Sequence, residues 1–385
     1  MLAYQIVVTL LLLLFAGLAL RNLRDYAVLD ESATPDPAER LYVLIPARNE
    51  EENIRACLDG LTAQVGCNFC MVVLDDESTD ATASVVLEAA RDHPSVELIR
   101  GKPIPAGWAG KVWACSQLGS YAIEQGADWL LFLDADTRAA PRFVAALWAQ
   151  AQATRADMVS SFPYQVTGSL MEMLVLPMLH FLVVTFLPIR MVWETPNPAI
   201  AAACGQVGLF SAEGYRRIGG HAAVSASFHD GLQLARRVKQ LGGTLRLTDA
   251  SRSISCRMYR GARQVWAGFT RNAYEGLGSM GALVTMTLLN TVLFVAPIVF
   301  CLYGLLAGHG TYSVWFWLAC AQVAMILAMR VAQARRFGHM EAVLLHPISV
   351  IVMLAIQWTS WFRHVTHART SWKDRSYTAA PEKRE

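Results

Sequence analysis

Charge is what this sequence has least of. Only 17% of its 385 residues are Asp, Glu, Lys or Arg, and 33 basic against 31 acidic side chains leave a formal net charge of +2. So small a charge, with no basic patch interleaved with aromatics, excludes nucleic acid as the expected partner. A disulfide framework is also missing. The eight cysteines show no scaffold spacing, and Cys67-Asn68-Phe69-Cys70 is a lone C-x-x-C with no second pair or histidine to complete a zinc site. Reduced thiols in a cytoplasmic domain are the expectation. There is no G-x-x-x-x-G-K-[ST] loop to cradle phosphate. Nor does a basic region precede the first apolar run, or a small-residue cleavage site precede Arg21, so that run reads as an uncleaved anchor and not as a secretory signal.

Apolar residues are what the chain has in excess: 54% of the total, with a mean hydropathy of +0.32. Leu2 to Leu20 carries no charge. At ~1.5 Å per residue it can cross a ~30 Å hydrocarbon core. Arg21 and Arg24 place its C-terminal end on the cytoplasmic side. Three further apolar stretches run over Gly281 to Ala307, Tyr312 to Ala332 and Ala342 to Phe362, with a basic loop around Arg335 and Arg336 between the last two. Three complete crossings would leave the basic tail (Arg363, Arg369, Lys373, Arg375) on the far side, against the positive-inside bias. One stretch is therefore expected to be re-entrant or interfacial, and His346-Pro347 marks the last as the weakest span.

Between these ends the pattern alternates strand and helix. Leu41 to Pro46, Phe69 to Leu74, Val96 to Arg100, Trp129 to Leu133 and Asp157 to Phe162 read as buried strands. Asn49 to Gln64, a segment capped by Ser78 or Thr79 and running to Arg91, Lys111 to Gln125, and a segment opening near Pro141 read as helices. This order predicts an α/β fold with a mostly parallel sheet, whose ligands bind beyond the carboxyl ends of its strands. "IPARNEEEN", "LDDESTD" and "FLDADT" all lie at such ends.

Asp134 and Asp136 leave a strand with only Ala135 between them, so both carboxylates can approach one hard divalent cation, Mg²⁺ or Mn²⁺. Taken alone, D-x-D reads more readily as a solvated turn than as a metal site. Asp75 and Asp76 at an earlier strand end suit a ribose hydroxyl or a base N–H better than a phosphate. Glu50 is either another acceptor near the base or a residue favouring its helix N-terminus.

The ordered set "IPARNEEENI", "LDDESTDAT", "AGKVWA" and "FLDADT" resembles the inverting GT-A glycosyltransferases of family 2 over roughly Leu41 to Ala273. "GKPIPAGWAGKVWACSQ" ahead of an apolar C-terminus is most similar to the hopene-associated group, with carotenoid and other polyisoprenoid glycosyltransferases as near relatives. The resemblance implies a GT-A nucleotide-sugar-binding domain flanked by N-terminal and C-terminal transmembrane helices. It implies a nucleotide-sugar donor, most often a UDP-sugar, a lipid acceptor in the membrane, and no protein partner. By position, Pro46, Ala47, Arg48 and Glu50 would border the uridine, Asp75 or Asp76 would contact base or ribose, and Lys111 would lie near the donor. Asp134 and Asp136 would hold the metal and sugar-diphosphate.

An inverting transfer also needs a base on the acceptor side. "HDGLQLARR" resembles the family's acidic pair that opens a helix, with His229 in place of Glu, so Asp230 would be the general base; as local sequence it is also an ordinary N-cap. Gly205 and Gln206 sit where the family has a small-residue loop beneath the acceptor, beside His229. Arg260 to Trp266 lacks the Q-x-x-R-W spacing of processive members, which favours transfer of one sugar over polymer synthesis. A non-catalytic transporter or scaffold is the alternative of another class, and the intact acidic clusters speak against it. The expected organisation is an anchor over 1–24, a cytoplasmic catalytic domain over 40–273, a membrane region over 281–363 and a polar tail over 364–385. Residues 168–193 read either as an interfacial segment or as core. The whole is expected as a multi-pass protein of the inner (cytoplasmic) membrane.

Overall fold

Helix α1 (Leu2–Asp25) opens the structure, a computed structural model that describes residues 1–306 and 313–366 and the backbone of two short strands, Thr370–Trp372 and Arg375–Tyr377. Ala307, Tyr312, Arg369, Lys373 and most of the polar tail lie outside the described residues. By its internal contacts the chain forms two units.

One unit holds Tyr26–Val166 and Arg190–Met258. Its main sheet contains β1 (Leu41–Ala47), β2 (Cys70–Asp75), β3 (Val96–Arg100) and β4 (Trp129–Leu133), all parallel. A short β5 (Thr137–Ala139) follows, then β6 (Met158–Phe162), a two-residue β7 (Tyr164–Gln165), β8 (Val207–Ser211), β9 (Leu245–Asp249) and β10 (Ile254–Cys256). The seven-stranded order is β3-β2-β1-β4-β8-β6-β9, with only β8 running antiparallel to its neighbours. Val43, Leu44 and Ile45 are fully buried because β1 lies in the sheet interior; each such side chain contributes about 1.5–3 kcal/mol. In register, Ala47 pairs with Asp75, and β4 pairs with β1 from Leu41↔Trp129 onward. The acidic ends of β2 and β4 thus open at one edge.

Helices α2 (Ile54–Thr62), α3 (Thr82–Asp92), α4 (Gly110–Glu124) and α5 (Phe143–Thr154) connect these strands. Two expected helix starts move. The segment read from Asn49 becomes helical only at Ile54, because Asn49 takes a positive φ of 50°. Its N–H donates to Ser78 Oγ (3.1 Å), that of Glu50 to Thr82 Oγ1 (2.8 Å), and that of Glu51 to Asp80 (3.1 Å). Ser78 and Thr79 are spent on this loop, so at α3 it is Asp80 that accepts from the Thr82 N–H at 2.9 Å.

The other unit holds Met1–Asp25, Thr167–Ile189 and Tyr259–Thr366. Besides α1 it contains α6 (Leu170–Val175) and α7 (Met178–Phe186). After α8 (Met191–Glu194), α9 (Ala212–Arg217) and α10 (Asp230–Gln240) of the first unit, it resumes with α11 (Ala262–Leu277), α12 (Met280–Asn290), α13 (Ala296–Leu306), α14 (Val314–Phe337) and α15 (His346–Val365). A π-turn over Thr291–Val295 joins α12 to α13, just ahead of Pro297, which has no N–H to continue the regular ladder. The one G-x-G-x-x-G string in the chain, Gly276 to Gly281, falls between α11 and α12 and follows no strand. Three helices are long and apolar enough to cross a membrane among the described residues: Leu2–Asp25, Met280–Leu306 and Val314–Phe337. The helix α15 is not among them. Polar side chains join the helices: Asn22 Nδ2 donates to the Val184 and Leu187 carbonyls (2.8 and 2.6 Å), and Gln322 Nε2 to the Gln5 carbonyl (2.9 Å). Segment 170–186 is largely buried within this unit, with Val175, Leu176, Phe181 and Val184 inaccessible.

Candidate active site

Three strand ends build the donor side. At β1, Pro46 and Ala47 pair with Leu74 and Asp75. The Arg48 guanidinium donates to the Asp76 and Glu77 carbonyls, so it holds the loop after β2 in shape. Asp75 is buried and paired with Arg100 from β3, and it also accepts from the Ser78 N–H at 3.3 Å. Asp76 is fully buried, and its N–H donates to the Ala47 carbonyl at 2.8 Å. Glu50 accepts from Asn53 Nδ2 at 2.9 Å, and its charge acts on both Asp134 and Asp136.

The "FLDADT" turn is held from two directions. Asp134 N–H donates to the Gln206 carbonyl (3.1 Å), and Thr137 Oγ1 closes on the Asp134 carbonyl (2.8 Å). Thr137 then starts β5, paired antiparallel to β10 through Cys256. Lys111, in the first turn of α4, points its ammonium at Asp134 Oδ1 (2.6 Å) and the Gly205 carbonyl (3.1 Å). Both side chains stay about a quarter exposed, at 25% and 24%, so a ligand can reach them. Burial alone would lower the Lys111 pKa, but Asp134 and Asp230 outweigh it and hold the ammonium well above the ordinary lysine value. Burial raises Asp134 although Lys111 opposes it. Burial, then the charges of Asp134 and Glu50, push Asp136 up to about 7. Asp136 Oδ1 is buried with no hydrogen-bond partner among the described residues. A carboxylate oxygen left so, next to a second carboxylate, fits Mg²⁺ or Mn²⁺, which take oxygen donors and fill the rest of their shell with water and phosphate oxygens.

On the opposite side Asp230 is the first residue of α10. His229 occupies the N-cap position without a side-chain cap bond, so Asp230 lies inside the helix and is not its cap. Two glycines allow a close approach here. A Cβ on Gly231 would lie 2.9 Å from Gly205 Cα, and one on Gly205 would lie 3.1 Å from Asp230 Oδ1. Lys111, Asp134, Gly205 and Asp230 therefore form one cluster. The reading of Gln206 as an acceptor-side group is corrected. Its amide is buried, donating to Cys256 Sγ (2.7 Å) and accepting from Gln165 Nε2 (2.8 Å), so it props the site from behind.

Residues that the sequence did not flag also surround the site. Cys256 hydrogen-bonds Asp136 through its thiol, and burial keeps that thiol protonated. Cys115, His221 and Asp230 converge, all buried, with ligand-type atoms within 4.8 Å of one another. Cysteine spacing gave no signal for these contacts. For His221 the one cue is the preceding Gly219-Gly220 pair.

Residues 42–213 match the model of the family described as Glycosyl transferase family 2. A 4,4'-diaponeurosporenoate glycosyltransferase of Staphylococcus haemolyticus (strain JCSC1435) is 32% identical over 123 residues, spanning 32% of this chain and 31% of that protein. A protein of the same name from Staphylococcus aureus (strain MRSA252) is 25% identical over 356 residues, 89% of each. Among solved structures, a mannosyltransferase from Pyrobaculum calidifontis in complex with GDP-Man and Mn²⁺ aligns with a TM-score of 0.55 at 19% identity, covering 94% of this chain and 98% of that one. At that identity the likeness is one of fold, a GT-A α/β fold with a mostly parallel sheet.

Proposed function

We propose, from the match of residues 42–213 to the glycosyl transferase family 2 model, that this chain is a glycosyltransferase that moves one sugar from a nucleotide-sugar to a hydroxyl of a polyisoprenoid or hopanoid-type lipid, with inversion. The observation that carries the reading is the cluster in which one ammonium, Lys111, touches Asp134 and the Gly205 loop beside Asp230. Donor-side carboxylates and an acceptor-side carboxylate thus meet across a single cation. Asp134 and Asp136 would hold Mg²⁺ or Mn²⁺, which supplies Lewis-acid stabilisation of the departing diphosphate. Lys111 adds a fixed positive charge where negative charge develops on that leaving group. Asp75 or Asp76, beside the Arg48-held loop, would contact the nucleoside, with a UDP-sugar as the expected donor. Asp230 accepts the hydroxyl proton as the oxygen attacks the anomeric carbon from the face opposite the diphosphate.

A lipid acceptor is supported by the relatives' name, 4,4'-diaponeurosporenoate glycosyltransferase, and by the apolar helices. A carboxylic acid acceptor would already be ionised at neutral pH and would need no base, whereas a hydroxyl would. Three crossings put the stretch between Arg24 and Met280 on the same side as Arg335 and Arg336, the cytoplasmic side by the positive-inside rule. The helix α15 then lies along or re-enters the membrane, and the tail stays with the basic loop. Asp230→Asn tests the reading: UDP and Mn²⁺ binding persist while transfer to lipid is lost. Transfer at the wild-type rate would overturn the base assignment and point to a carboxylate acceptor.

A further inference from the structure

The turn after α9 places a histidine that this chemistry leaves unused. Gly219 and Gly220 both take positive φ, 76° and 53°, and a Cβ on Gly220 would lie 2.7 Å from the Tyr215 ring. Only glycine lets the chain fold back there. The His221 backbone N–H donates to Tyr215 Oη at 3.2 Å, and the same oxygen lies 2.8 Å from His221 Nδ1. Among the described residues the buried Tyr215 hydroxyl has no other acceptor, so its single proton goes to Nδ1, and a neutral imidazole then carries its hydrogen on Nε2. The ring is neutral because burial lowers its pKa to about 4; Asp230 opposes that shift and Lys111 adds to it. Phe132 and Phe210 wall the imidazole, with ring centroids 4.5 and 6.4 Å away. Cys115 from α4 and Asp230 from α10 face it within 4.8 Å.

We propose that His221 is a positioning residue for Asp230: Tyr215 fixes the imidazole tautomer, and the Nε2–H so presented holds the Asp230 carboxylate in the orientation that receives the acceptor proton. This rests on the reading of Asp230 as the base. Such poor proton affinity makes His221 unfit to store that proton, so it acts by orientation alone.

The test uses the full-length protein in detergent with Mn²⁺, a bacterial lipid extract, and a mixture of labelled UDP-glucose, UDP-N-acetylglucosamine and GDP-mannose, with label counted in the chloroform-soluble product. His221→Phe keeps the aromatic packing but removes both nitrogens. It should lower the rate at saturating donor about 10- to 100-fold, with donor KM and the Kd for UDP unchanged. His221→Gln, whose amide can accept from Tyr215 and donate toward Asp230, should restore most of the rate. The Tyr215→Phe/His221→Phe pair leaves no buried hydroxyl without a partner and should show the deficit of His221→Phe alone, which separates orientation from misfolding. The proposal is overturned by a full rate in the paired variant or by weakened UDP binding. If Asp230→Asn itself transfers normally, the base reading fails. If Asp230→Asn is inactive and His221→Phe is not, only the positioning role fails.

Discussion

Protons and the divalent cation should compete for Asp136. Burial and the neighbouring charges of Asp134 and Glu50 raise its pKa from the ordinary 3.8 to about 7, and a metal ion needs the ionised form. For one group of that pKa, roughly a tenth is ionised at about pH 6 and roughly nine tenths at about pH 8, so the apparent Mn²⁺ affinity should fall about tenfold between them. Calorimetry in buffers of different ionisation enthalpy should show nearly one proton released per Mn²⁺ at about pH 6 and about a tenth of one at about pH 8. The same shift has a consequence for stability, with a definite sign. A carboxyl whose folded-state pKa is raised favours the folded state at low pH, and that contribution is lost as pH climbs from about 4 through about 7. Asp136→Asn should therefore stabilise the metal-free protein at about pH 8, by on the order of a few kcal/mol and by less at about pH 5, while removing most metal affinity. Mn²⁺ affinity that is flat over this range, or a variant less stable than wild type at the higher pH, would refute the reasoning.

Other perturbations give separable outcomes. Lys111→Met leaves Asp134 and Asp230 facing each other without their cation; steady-state kinetics should show a loss of about 100-fold or more in kcat. Gly231→Ala drives a methyl to within 2.9 Å of Gly205 backbone, and thermal unfolding should report a cost of about 1–3 kcal/mol together with lost transfer. Asn22→Leu removes two donated bonds and the acceptor of the Ile189 N–H at 3.1 Å; unfolding in detergent should show a cost of about 1–2 kcal/mol with nucleotide binding unchanged.

The donor edge was legible because its signals are local. An apolar run that stops at carboxylates announces a strand end, and two such ends mark Asp75 and Asp76, then Asp134 and Asp136, in the sequence itself. The strands at Val96–Arg100 and Trp129–Leu133 were readable for the same reason. What stayed hidden depends on partners far apart in sequence. Asn49 looked helical because nothing nearby shows that Ser78 and Thr82 would capture the following backbone. Gln206 looked acceptor-facing because its partners, Gln165 and Cys256, lie 41 and 50 residues away. His221 carried no motif at all; only the folded turn sets its ring beside Asp230. Hydropathy of whole stretches offered four candidate spans; among the described residues three helices are long and apolar enough to cross, and α15, though 20 residues long, is not one of them.

The most direct test of lipid glycosylation by this site is mass spectrometry of lipid extracts from cells carrying the wild-type chain, the Asp230→Asn variant, or neither. One class of polyisoprenoid or hopanoid-type lipid should gain the mass of a single sugar with the wild-type chain and show no gain in the other two. Lipids bearing several added sugars, no lipid changed, or the same product formed by Asp230→Asn would contradict it.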